Sequence, residues 1–136
     1  MDPITVIGLA SSIVQLIEAA NKVYDILRAF KDGDKEFSAL RDDIAAFTEA
    51  LRGFDRVLRS RHTIHRVSGP VLEDVLRNSM KIIIELGDRL AQLSSSSLSA
   101  VRKAKWVQHR SALKKLQGSV REKIAMLHTF LSITQA

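Results

Sequence analysis

The chain has 136 residues, 46% of them apolar and 26% charged, with two prolines, six glycines and no cysteine. That composition excludes a disordered segment and a scaffold stapled by disulfides or thiolate-bound metal, and it suffices for one domain with its own hydrophobic core. The net charge of +6 is uneven: residues 1–50 carry five Lys/Arg against nine Asp/Glu, and residues 51–136 carry sixteen against six. A basic back half attracts polyanions, whether acidic lipid headgroups, nucleic acid or an acidic protein surface. The absence of cysteine fits a reducing compartment.

The first element opens MDPITVIGLASSIVQLIEAANKVYDIL, with fourteen consecutive uncharged residues from Ile4 to Ile17. No basic residue precedes Lys22, so the positive start of a secretory signal is missing. Fourteen helical residues rise about 21 Å, short of a hydrocarbon core about 30 Å thick. Glu18, Lys22 and Asp25 then interrupt the run, so it does not cross a bilayer alone. Asp2 suits an N-cap and Pro3 a first helical position, which predicts a helix over about 3–31. Ile4, Val6, Ile7, Leu9, Ile13, Val14, Leu16 and Ile17 spread over more than half the helix circumference. An arc that wide predicts a central helix sheltered among three partners.

Gly33 and Asp34 form a break that ends one helix and caps the next. Phe37, Leu40, Ile44, Phe47, Leu51, Phe54 and Leu58 then recur at alternating steps of four and three, predicting a second helix over about 34–59. Ser60 to Gly69 is polar, and Gly69-Pro70 announces a third helix over about 70–94. Its seam is Leu72, Leu76, Ser79, Ile83, Leu86, Leu90 and Leu93, with Ser79 its one polar member. The serine run from Ser94 to Ser99 reads as a turn. A fourth helix over about 98–134 carries Leu113, Leu116, Val120, Ile124, Leu127 and Leu131, preceded by a less regular Val101, Trp106 and Val107. A kink or short break is expected near Gln108 to Ser111. No useful β alternation occurs, so the fold class is all-α, an antiparallel four-helix bundle forming a single domain.

Catalytic patterns are missing. His62 and His65 lie three apart in the polar stretch with no third ligand nearby, the glycines are scattered, and no serine sits in a nucleophile elbow. Asp42 and Asp43 are adjacent, and adjacent helical residues diverge by about 100°, so they make no catalytic dyad. The chain reads as a non-enzyme without cofactor or metal. Arg52, Arg56, Arg59, Arg61 and Arg66 form one basic cluster, of which 52, 56 and 59 share a helix face. From Arg102 to Lys123 a second basic stretch holds Arg102, Lys103, Lys105, Arg110, Lys114, Lys115, Arg121 and Lys123 against Glu122 alone, with Trp106 inside it. A cationic amphipathic helix with one tryptophan suits an acidic membrane surface. The plainer alternative is a solvated face, with Trp106 filling a gap at the bundle end. One Trp and one Tyr, without a recognition-helix motif, argue against nucleic acid.

Met1-Asp2-Pro3 with its apolar helix, Val23-Tyr24, and Lys105-Trp106 followed by the Leu113 to Leu131 stripe resemble the N-terminal HeLo-like domains of fungal STAND/NOD-like receptors. The resemblance covers essentially the whole chain. Val107-Gln108-His109-Arg110 departs from the more apolar continuation expected after the Trp. The resemblance implies a helical bundle ahead of a nucleotide-binding oligomerisation module in a larger receptor. It also implies a role in programmed cell death at heterokaryon incompatibility, a form of fungal innate immunity. On that reading the domain is cytoplasmic, homo-oligomerises on activation and is recruited to the plasma membrane. Its first helix (Ile4, Val6, Ile7, Leu9, Ile13, Val14, Leu16 and Ile17) would then move from core to lipid or to neighbouring copies. Arg102, Lys103, Lys105, Trp106, Lys114, Lys115 and Lys123 are the expected contacts to acidic lipid or a partner. The alternative expectation is an adaptor bundle that binds other bundles and never touches lipid.

Overall fold

The computed structural model describes residues 3–30, 35–59, 69–94 and 99–135, of which 3–6, 99–103 and 134–135 are described as backbone. They form four helices: α1 (Pro3–Ala29), α2 (Lys35–Arg59), α3 (Gly69–Ser94) and α4 (Ser99–Gln135). The proposed cap at Gly33-Asp34 and the interior of the serine turn lie outside the described residues.

The heptad seams explain the packing. On α2, Leu40, Ile44, Phe47, Leu51, Phe54 and Leu58 are buried, and on α3 every seam residue from Leu72 to Leu93 is buried. Burying one such Leu or Phe contributes about 1.5–3 kcal/mol. Ser79 belongs on its seam because its hydroxyl donates to the Val75 carbonyl at 2.7 Å, and buried Thr48 does the same to Ile44 at 3.0 Å. Neither hydroxyl is therefore left unpaired in the core. α4 runs through Gln108–Ser111 without the expected break. The reason is on its seam: counting back from Leu113 by four and three reaches His109 and Trp106. His109 is 8% exposed, while Val107, expected near the core, is 75% exposed.

Consecutive helices run in opposite directions, but they are not all neighbours. α1 packs on α2 and α3, and α4 packs on α2 and α3; among the described residues no Cα of α1 comes within 8 Å of α4, nor any of α2 within 8 Å of α3, so these pairs are diagonal across the shared core. The corner order is therefore α1, α2, α4, α3. Two neighbouring pairs are antiparallel: Phe30 of α1's end stacks on Phe37 of α2's start, and Arg89 late in α3 meets His109 early in α4. The other two are parallel: Val23 lies against Gly87, and Glu36, Asp43 and Gly53 of α2 meet Arg110, Arg121 and Leu131 of α4 in the same order.

This corrects the expectation for the first helix. α1 has two partners rather than three. It buries a single stripe, Leu9, Ile13, Leu16, Ala20, Val23 and Leu27, and leaves Ile7 69% and Val14 38% exposed. The apolar arc is wider than the face that two neighbours can cover.

Candidate functional site

Two groups of residues were expected to act together: the apolar positions of α1 and the basic positions of α4. The structure puts them on diagonal helices, with the start of α1 and the start of α4 at opposite ends. Of the α1 set, Leu9, Ile13 and Leu16 are core, Ile17 is partly buried, and Ile7 and Val14 face out. The side chains of Ile4 and Val6 lie outside the described residues.

What holds α1 differs from what holds the other helices. Among the described residues, no side-chain hydrogen bond or ion pair joins α1 to another helix; its ties are apolar contacts. α2 and α4, by contrast, are clasped twice. Asp43 accepts from Gln117 Nε2 at 2.7 Å and from Arg121 Nε at 2.8 Å, and Glu36 Oε1 accepts from Arg110 at 2.8 Å and pairs with Lys114 at 3.6 Å. α3 and α4 are joined by Arg89 Nη1 donating to His109 Nδ1 at 3.1 Å and by Lys105 Nζ donating to the Gln92 carbonyl at 3.4 Å. A guanidinium only donates, so His109 Nδ1 is an acceptor and the ring proton is on Nε2.

The basic set of α4 is dispersed by these ties. Lys105 bonds to α3, and Lys114 shares Glu36 with Arg110. Lys123 sits on the α4 seam and its side chain is only 14% exposed, its ammonium between Glu122 and the Met126 sulfur. Lys115 is exposed. The side chains of Arg102 and Lys103 lie outside the described residues. Trp106 is partly buried against Phe37, ring centroids 4.7 Å apart, and Phe37 stacks on Phe30 at 4.5 Å. Trp106 therefore joins an aromatic cluster with Phe37 at the start of α2 and Phe30 at the end of α1.

Sequence reasoning missed three features. Arg110 and Arg121 are the main cations of the α2–α4 clasp, legible only once α2 and α4 are known to be neighbours. His109 is a seam residue, which the heptad count from Leu113 would have found. The third is an open groove of about 440 Å³ between the later parts of α2 and α4. Among the described residues, no group of His, Asp and Glu could hold a metal ion, and no helix is long and apolar enough to cross a membrane.

Compared with protein-family models, curated proteins and solved structures, the chain matches none.

Proposed function

We propose that this bundle is a cell-death effector or signalling domain of the HeLo-like kind. On this reading it acts when copies are brought together and α1 exchanges its apolar contacts for membrane or for neighbouring copies. One observation carries the reading: among the described residues, α1 is the one helix with no side-chain hydrogen bond or ion pair to another helix. Apolar contact is non-directional, and lipid replaces it at little cost. Separating α2 from α4 would instead strand the charged groups of the Asp43 and Glu36 clasps. The exposed Ile7 and Val14 extend the same uncharged surface to the outside. The resemblance at Met1-Asp2-Pro3, Val23-Tyr24 and Lys105-Trp106 supplies the biological setting. The parent would be a cytoplasmic fungal receptor whose nucleotide-binding module drives oligomerisation and plasma-membrane recruitment.

The test is dye leakage from vesicles containing acidic lipid. Ile7→Glu and Val14→Glu change exposed positions, so the variants keep the parent's circular dichroism and thermal transition. The proposal expects the folded double variant to lose leakage; a folded double variant that leaks like the parent rejects it.

A second reading, an adaptor that binds other bundles, draws on a different observation. Arg110, Lys114 and Arg121 are engaged by acids of α2, which lowers the charge that α4 offers to lipid. Co-sedimentation with acidic and neutral vesicles at low and high salt separates the two readings. Salt-sensitive binding that requires acidic lipid favours the effector; self-association without vesicle binding favours the adaptor.

A further inference from the structure

Gly53 lines the groove between α2 and α4. A Cβ at Gly53 would stand 3.4 Å from Leu131 Cδ1, so a side chain there would grow into the space that the groove now occupies. Towards the other end of the same helix pair, the Asp43–Gln117–Arg121 clasp ties the two helices together. The floor is apolar, built from Ala50, Gly53, Val57 and Leu131.

The rim is charged, and one charge stands out. Of the three arginines along this part of α2, Arg52 is bound to Glu49 at 2.7 Å and Arg59 to Asp55 at 3.0 Å. Arg56 has no acidic partner among the described residues. Its guanidinium nevertheless folds back over the groove, with Nη2 3.9 Å from the position of a Gly53 Cβ. His128 lines the groove from α4 and offers a ring N–H.

We propose that this groove is a binding site for a small amphiphilic anion: one oxyanion, carboxylate or phosphate ester, on a short apolar body. Arg56 supplies the planar fork that recognises an oxyanion, and Ala50, Val57 and Leu131 take the apolar part. The groove's size lies within the range of small-molecule sites. Glu49 on the same rim opposes a second negative group, so a polyanion is disfavoured. α1 contributes no residue here, so the inference is independent of the effector proposal.

Amide chemical-shift titration of the whole chain tests it, using octanoate and octyl phosphate below their micelle concentrations and the neutral control octanol below its solubility limit. The expected result is saturable shifts at Gly53, Val57 and Leu131 with one or both anions and none with octanol. The preferred anion identifies the oxyanion. Arg56→Gln, at an exposed position, weakens binding about ten-fold, and Gly53→Met fills the groove and removes binding. Should Gly53→Met fail to fold, Arg56→Gln decides alone. Equal response to octanol, shifts centred elsewhere, or unchanged affinity in Arg56→Gln overturns the proposal.

Discussion

Leu16 and Val14 are two residues apart, both apolar and both in an uncharged run, yet they do different work. Leu16 is fully buried and Val14 is 38% exposed. Leu16→Ala is predicted to cost about 2–5 kcal/mol, through lost transfer free energy and the cavity left behind. Val14→Ala should stay within about 0.5 kcal/mol. Paired denaturant melts check both. The glycines separate in the same way. A Cβ at Gly118 meets nothing within 4 Å, so Gly118→Ala should stabilise the protein by about 0.5–1 kcal/mol through helix propensity, read as a higher melting temperature. A Cβ at Gly87 would lie 3.4 Å from Val23 Cγ2, so Gly87→Ala should gain less. At this scale the sequence was legible where an apolar residue lay on a regular seam, as from Leu40 to Leu58 and from Leu72 to Leu93. It misled at Val107, which hydrophobicity assigned inside and geometry puts outside, and it hid Lys123, whose charge masks a seam position.

At the scale of the element, the four helices were legible almost to the residue. Uninterrupted seams and the punctuation at Gly69-Pro70 are local signals. The apolar width of α1 was also legible, but not how much of it is used, because that depends on the number of neighbours. The polar ties belong to this scale too. Asp43 has its side chain 19% exposed and accepts from two donors of α4. Asp43→Ala is predicted to destabilise by about 1 kcal/mol, lowered from the usual value for charged hydrogen bonds because Arg121 is largely exposed. Added salt should shrink the difference between parent and variant. Arg77→Ala removes pairs with Glu73 and Asp74 that are local to α3 and exposed, and it should change stability by less than about 0.5 kcal/mol. Double-variant melts at low and high salt distinguish the two kinds of pair.

For the whole molecule, the corner order α1, α2, α4, α3 joins the acidic front of the chain to its basic back. Glu36 and Asp43 meet Arg110, Lys114 and Arg121 because α2 and α4 are parallel neighbours. The segmental charges were visible in the sequence. Their pairing was not, since heptad seams specify which face is buried but not which helix lies against it. The same order leaves α1 in contact with two helices, without a hydrogen bond or ion pair to either among the described residues. α2, α3 and α4 are linked by directional contacts, so they should form the last unit to open, with α1 opening below it. Native-state hydrogen exchange measures this directly. Interior amides of α1, such as those of Ile13 and Leu16, should exchange through an opening of lower free energy than those of Phe47 in α2 or Val120 in α4. Exchange of all four helices through one shared global opening would contradict that order of opening.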